Sequence, residues 1–211
     1  MIQLKSQLKK FGLIFVAMLV GAFQSQAAKT HLNMGMVLEP PHLDPTAGAA
    51  AAIDEVVYAN VFEGLTRINH NGEVLPALAK SWEISEDGLK YTFHLQRGVK
   101  FHDGSNFSAD DVLWSMNRHL GEKTPSVIKG FFSQVKEWKK VDSHTVKAIL
   151  NSPDSDLPAK LSEKQAKIVK QGTTDFKKGN GTGPYRMTSF EPGVKSVHVR
   201  NEDYWRGNCQ F

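Results

Sequence analysis

Residues 87–118 read DGLKYTFHLQRGVKFHDGSNFSADDVLWSMNR, a run in which turns, an alternating stretch and a helix signal follow one another. Asp87-Gly88 is a dipeptide typical of a tight turn. Between residues 91 and 95, large apolar side chains alternate with polar ones, which predicts a strand with one buried face. Ser108 stands three residues before Asp111, ahead of apolar residues at helical spacing, so an N-capped helix is predicted there. The run is therefore architectural, with no catalytic pattern.

The same periodicities predict the other elements of the chain. Strands are predicted at residues 31–38, 65–68, 81–84, 135–141, 145–150, 185–190 and 196–200, and helices at 53–62 and 159–169. Turn residues at 86–88 and 142–144 join neighbouring strands into two hairpins. The mixture predicts an α+β or mixed α/β fold.

Composition and charge restrict the classes of protein that fit. The chain has 211 residues, of which 40% are hydrophobic and 23% charged, as in ordinary globular proteins. Three of its 26 basic residues (Lys5, Lys9 and Lys10) lie in the first ten residues, and without them 23 basic residues face 22 acidic ones. No concentrated basic stripe is present, so no nucleic-acid partner is predicted. The single cysteine, Cys209, excludes an internal disulfide framework and a multi-cysteine metal site.

The first 27 residues have the pattern of an export signal. A basic segment (1–10) precedes an apolar run (11–23), and small residues at Ser25 and Ala27 predict cleavage after Ala27. The alternative interpretations are an uncleaved anchor or a buried helix. The run is shorter than the ~20 apolar residues that span a bilayer. We therefore predict a signal peptide at 1–27 and a periplasmic location.

Three patterns resemble catalytic or ligand motifs but favour a structural role. His102-Asp103 lies at a turn and has no second histidine at ligand spacing. Asp110-Asp111 falls in a first helical turn, where acidic side chains cap the helix and are stabilised by its macrodipole. The glycine-rich residues 179–183 lack the lysine of a phosphate loop and precede a strand. No catalytic set, metal site or cofactor is therefore predicted, and the large aromatics are expected mostly in the core. These aromatics are Trp82, Trp114, Trp138, Phe131 and Phe132.

A set of short motifs, taken in order, points to a known family. They are LDP (43–45), VFEGL (61–65), PALAKSWE (76–83), YTFHLQRGVKFHDG (91–104), ADDV (109–112), GTGPY (181–185) and NEDYW (201–205). Each alone is weak, but their order and spacing resemble the extracytoplasmic solute-binding proteins of family 5, the peptide- and nickel-binding components of ABC importers.

The resemblance implies part of a bilobed periplasmic-binding-protein fold (type II, cluster C-like). Residues 28–60 would begin lobe I, residues 61–169 would form an inserted smaller domain, and residues 170–211 would return to lobe I. Family members continue for more than this length again, so we expect a C-terminally truncated member that lacks the second lobe. Residues 207–211 also lose the family's strand pattern. The run at 87–118 would lie in the inserted domain, away from the ligand.

The family's function is to bind a small solute, above all an oligopeptide or dipeptide, and to deliver it to an ABC permease in the inner membrane without catalysis. In peptide-binding members, the segment after Leu-Asp-Pro pairs its main chain with an extended ligand. The corresponding candidates are Thr46, Gly48, Ala49 and Ala50. Phe131 and Phe132 are candidates for the cleft wall. The alternatives are a non-functional truncated remnant, or a relative that binds nickel, haem or another small solute.

Overall fold

The computed structural model describes residues 31–207 and contains both helices and strands, so the predicted mixed fold class is confirmed. The helices are α1 (Ala51–Val57), α2 (Ala109–Asn117), a 3-10 helix (Lys129–Phe132) and α3 (Leu157–Lys160). The strands are β1 (Thr66–Ile68), β2 (Val74–Pro76), β3 (Ala79–Ile84), β4 (Lys90–Leu95), β5 (Val135–Asp142), β6 (Thr145–Leu150), β7 (Tyr185–Glu191) and β8 (Lys195–Arg200). The described chain from Met36 onward forms one compact unit.

Four of the strands form an antiparallel sheet in the order β3-β4-β6-β5. The β3–β4 hairpin turns at Asp87-Gly88, where Gly88 has a φ of +67°, a conformation that glycine adopts at little cost. The β5–β6 hairpin pairs Asp142 with Thr145 at its turn end. Both predicted hairpins are thus confirmed. In addition, β1 pairs with β2 and β7 pairs with β8 as separate two-stranded sheets.

The alternating residues of β4 form the centre of the main core. Tyr91, Phe93 and Leu95 are almost completely buried, and the rings of Phe93 and Trp138 lie 5.8 Å apart. Burying one such side chain contributes about 1.5–3 kcal/mol. The β4 alternation therefore supplies the face on which the rest of the core, including α2, packs.

Helix α2 begins with the predicted N-cap at Ser108, which the structure shows to be a capping box. The Asp110 amide donates to the Ser108 hydroxyl at 3.3 Å, and the Ser108 amide donates to the Asp111 carboxylate at 2.8 Å. Asp110 instead pairs with Lys140 at 2.7 Å on the surface. The two adjacent acids therefore have separate structural partners, and of the two side chains only that of Asp111 takes part in the cap.

Two predicted elements are wrong and one is shortened. Residues 31–38 form no strand in the structure, because an alternating pattern indicates a strand but does not supply the neighbouring strand that a sheet requires. The helix predicted at 53–62 is α1, which starts earlier and ends at Val57, before Ala59 takes a positive φ of 58°. Of residues 159–169, only the first two belong to a helix, α3. Further along, the Ile168 amide donates to the Glu63 carbonyl at 2.9 Å, so extended pairing with a distant segment replaces the helix.

Other sequence-based expectations lie beyond what the structure tests. The predicted signal peptide, residues 1–27, falls outside the described residues. In residues 31–207, no helix is both long and apolar enough to cross a membrane. The proposed boundaries at residues 60 and 169 stay predictions.

Candidate functional site

The segment that follows Leu43 is shaped by a carboxylate turn. The Asp44 carboxylate accepts hydrogen bonds from the Thr46 amide at 2.9 Å and from the Thr46 hydroxyl at 2.7 Å. Asp and Thr side chains favour such local turns because they satisfy nearby backbone donors. Thr46 is 1% exposed. Its side chain therefore holds the turn, and the structure does not present it to solvent.

Arg118, directly after α2, fastens this turn to the rest of the molecule. Its Nε donates to the Thr46 hydroxyl at 2.8 Å, and its Nη2 donates to the Asp44 carboxylate. The guanidinium carbon also lies 5.3 Å from the ring centroid of Phe176, within cation–π range. We call Asp44, Thr46, Arg118 and Phe176 the arginine clasp. It joins three segments that are far apart in sequence.

Beyond the clasp, small residues expose main chain. Ala49 is exposed, and Gly48 and Ala50 are half-buried. Within residues 31–207, the Ala49 amide and carbonyl and the Ala50 amide have no hydrogen-bond partner. Gly48 is different, because an added Cβ would lie 2.5 Å from Ile53 and 2.9 Å from His42, and its carbonyl accepts a long 3.4 Å bond from Gln165. Its small size serves packing.

The two phenylalanines predicted for a cleft wall have different environments. Phe132 is 1% exposed and packs in the main core, where its ring lies 5.3 Å from that of His119. Phe131 is 42% exposed. Of the two rings, only that of Phe131 is presented to solvent, and we do not retain Phe132 as a wall residue.

A cavity of about 520 Å³ lies against the clasp, within the range of about 300–1,000 Å³ that small-molecule pockets occupy. Asp44 and Phe176 contribute to both the cavity and the clasp. The remaining lining residues come from the first segment and from two later ones: Glu39, Pro40, Pro41, His42, Leu43, Thr174, Asp175, Lys177, Phe190 and Pro192. Sequence analysis did not find Phe176 or Phe190, because neither belongs to a local motif.

A second polar cluster surrounds Glu63, which is 7% exposed. Its carboxylate accepts hydrogen bonds from Thr182 at 2.9 Å, Tyr204 at 2.8 Å and Trp205 at 2.9 Å. Burial raises the pKa of Glu63, although these three donors act in the opposite direction. The motifs VFEGL, GTGPY and NEDYW therefore meet at one carboxylate. The sequence did not indicate that these motifs contact one another.

Lys167 lies near this carboxylate and is only 3% exposed. Burial lowers its pKa to about 8, and its ammonium group lies 4.2 Å from the ring centroid of Tyr58. The negative charge of Glu63 favours the protonated form of the lysine. The Glu63 carboxylate therefore partly offsets the effect of burial on the pKa of Lys167.

His102-Asp103 has a bonding pattern that ties two segments together. The ring nitrogens of His102 lie 3.2 Å and 2.9 Å from the carbonyl oxygens of Gly179 and Gly183. Asp103 pairs with Lys170 at 2.6 Å. Burial lowers the pKa of His102, which favours the neutral ring. These contacts support a structural role for the pair.

Comparison with known proteins gives this partial fold its class. The periplasmic binding protein DppA of Helicobacter pylori, solved in complex with peptide STSA, superimposes with a TM-score of 0.68 at 28% identity over 81% of this chain and 39% of that one. The fold is therefore that of part of a periplasmic binding protein, as predicted. A profile described as "Bacterial extracellular solute-binding proteins, family 5 Middle" matches residues 73–210. The chain belongs to this family.

Curated relatives differ in the solute their names specify. Di/tripeptide-binding protein 1 of Pseudomonas aeruginosa is 32% identical over 196 residues, which cover 79% of this chain and 36% of the relative. Heme-binding protein A of Haemophilus influenzae is 35% identical over 164 residues, which cover 64% of this chain and 30% of the relative. The chain thus spans about a third of the length of these relatives.

Proposed function

We propose that this chain binds a peptide in the periplasm, as a solute-binding component of an ABC importer, and catalyses no reaction. The observation that carries the proposal is main chain without hydrogen-bond partners among the described residues: the amide and carbonyl of the exposed Ala49 and the amide of the half-buried Ala50. The peptide-binding names of relatives and the peptide in the H. pylori structure support the same solute class. An ABC permease would be the partner.

Strand addition is the mode of recognition that this segment suits. An extended peptide presents its own N–H and C=O groups at regular spacing, so main-chain pairing gives affinity for many sequences. Small side chains at Ala49 and Ala50 let another backbone approach closely. Phe131, with its exposed ring, is the remaining candidate for a side-chain contact, while Thr46 acts inside the turn.

The domain assignment forms part of the same proposal. Residues 28–60 and those from 170 onward would belong to one lobe, and residues 61–169 would be inserted between them. A signal peptide at residues 1–27 would deliver the chain to the periplasm.

Isothermal titration with di- and tripeptides tests the proposal, and one substitution tests the mode of binding. Ala50 has a φ of −69°, close to the value proline requires, so Ala50→Pro removes the amide without strain at that residue. We expect peptide affinity to fall about tenfold, or 1.4 kcal/mol, for one lost main-chain bond. Ala51→Pro is the matched control, because proline is tolerated in the first turn of a helix such as α1.

Two results would contradict the proposal. Absence of heat for every peptide up to millimolar concentration would exclude peptide binding by this chain. Equal affinities for the wild type and Ala50→Pro would exclude pairing through the Ala50 amide.

A further inference from the structure

We propose that Arg118 is a positioning residue that holds residues 46–50 in the conformation that binds solute, an inference that rests on the proposed function. Arg118 belongs to the run at 87–118, which the sequence placed away from the ligand. In the structure its guanidinium reaches back 72 residues to Thr46 and 74 residues to Asp44.

The guanidinium bonds to two different side chains of one turn. Nε meets the Thr46 hydroxyl, and Nη2 meets the carboxylate of Asp44, which in turn receives the Thr46 amide. A planar fork can make both contacts at fixed spacing, whereas the single ammonium group of lysine cannot. The pair is only partly exposed, with 22% of the Arg118 side chain and 14% of the Asp44 side chain accessible, so solvent screens it less than a surface pair.

Helix α2 gives Arg118 a fixed base. The Ser115 hydroxyl bonds both the carbonyl (3.0 Å) and the amide (2.8 Å) of Val169, and Asp111 accepts from the Gln171 amide at 2.9 Å. A second, smaller hydrophobic core contains Leu43, Ile53 and Phe62, and both Trp114, one turn before Arg118, and Ala50 pack against it. The end of α2 is therefore held on one side by the chain at residues 169–171, while Arg118 holds the first segment on the other.

The turn held by Arg118 sets where the exposed main chain begins. Thr46 is fixed at both its amide and its hydroxyl, and the chain leaves this turn through residues 47–50 to enter α1 at Ala51. Local hydrogen bonds do little to order residues 47–49, since Ala49 has no partner among the described residues and the Gly48 carbonyl accepts only a long bond of 3.4 Å. Loss of the clasp should therefore release residues 46–50 while leaving the four-stranded sheet intact.

The test combines backbone order and peptide binding in the full chain. Arg118→Met keeps an apolar stem against Phe176 but removes both donors, and Arg118→Lys keeps the charge but not the fork. We expect amide order parameters at residues 47–50 to fall from about 0.85 to below about 0.6 in Arg118→Met, with a partial fall in Arg118→Lys. Peptide affinity should weaken about tenfold or more in Arg118→Met, because binding must then order the segment. Arg67→Met, at an exposed arginine of β1, is the control and should change neither quantity.

Each outcome decides a different point. Unchanged order parameters at residues 47–50 in Arg118→Met overturn the positioning role, even if affinity falls. A mobile segment with wild-type affinity also overturns it. A wild-type chain that binds no peptide overturns the proposed function instead, and the order parameters then decide alone whether Arg118 holds the segment. If Arg118→Met loses order in the sheet as well, Thr46→Val, which removes the hydroxyl alone, replaces it and should give the same local loss.

Discussion

Removing the hydroxyl of Tyr204, which donates a hydrogen bond to Glu63, tests how much this bond to the buried carboxylate contributes to stability. The Tyr204 hydroxyl is the donor to Oε1 of Glu63 at 2.8 Å, while Thr182 and Trp205 donate to Oε2. Tyr204→Phe removes this donor and keeps the ring. The variant should leave Oε1 buried without that bond, so we expect a loss of stability at pH 7.

The magnitude follows from the charge of the acceptor. A hydrogen bond to a charged group is worth about 1.5–3 kcal/mol, more than one between neutral groups. We therefore expect Tyr204→Phe to lower the free energy of unfolding by about 2 kcal/mol at pH 7, or the melting temperature by about 4–8 °C for a chain of this size.

The effect should depend on pH in a defined direction. Because burial raises the pKa of Glu63 above its ordinary 4.5, folding favours the protonated acid. The stability it contributes is complete below pH 4.5 and declines as pH rises through the pKa of the folded state. The bond from Tyr204 holds this pKa down. Its removal raises the pKa of Glu63 further, so the gap between the wild type and the variant should widen as pH rises.

Urea unfolding between pH 4 and pH 8 measures the gap. Tyr91→Phe is the matched control, since the Tyr91 hydroxyl donates to the uncharged Asp154 carbonyl at 2.8 Å. We expect Tyr91→Phe to cost about 1 kcal/mol with little change across this range. If Tyr204→Phe costs the same at pH 4 and pH 8, or costs less than Tyr91→Phe at pH 8, the charged acceptor has been assigned incorrectly.

Three further predictions concern the cap, a close approach and a buried histidine. Ser108→Ala should cost about 1 kcal/mol in urea unfolding through loss of the α2 cap, and an unchanged midpoint would count against it. Gly181→Ala should abolish cooperative unfolding, because its Cβ would lie 1.9 Å from the Val61 carbonyl oxygen; Gly98→Ala, in open space at a φ of +74°, should cost only about 1–2 kcal/mol. Burial lowers the pKa of His119 from 6.5 to about 4, so the wild type should lose about 3 kcal/mol as pH falls between these values. The His119→Leu variant should not show this loss. Parallel profiles of unfolding free energy against pH for the wild type and the variant would contradict the prediction.

Local signals account for the elements that the sequence predicted well. The Ser108–Asp111 cap, the Asp87-Gly88 turn and the alternation in β4 each depend on residues within a few positions of one another. Their physical cause is local, so one short window contains it. The resemblance to family 5 depended on the same windows and is confirmed by the family match.

Distant partners account for the failures. Residues 159–169 have helix-forming side chains, but Ile168 pairs with Glu63, more than 100 positions earlier. Adjacent residues Phe131 and Phe132 have the same chemistry, and only tertiary packing makes one exposed and the other buried. The clasp was missed for the same reason, because nothing near Arg118 in sequence indicates that its partners are Asp44 and Thr46.

The position of α2 alters how the run at 87–118 relates to function. If the run at 87–118 acted only within the inserted domain, its side chains would contribute to stability and would not affect solute binding. Yet α2 and the residue directly after it bind different segments. Asp111 and Ser115 of α2 bind residues 169–171, and Arg118 binds the turn that precedes residues 47–50. The cap fixes the start of the helix and nine residues of helix fix the direction in which Arg118 leaves it. A perturbation at Ser108 should therefore reach residues 46–50 through α2, so we expect the capping motif of the run at 87–118 to affect the geometry of the proposed site as well.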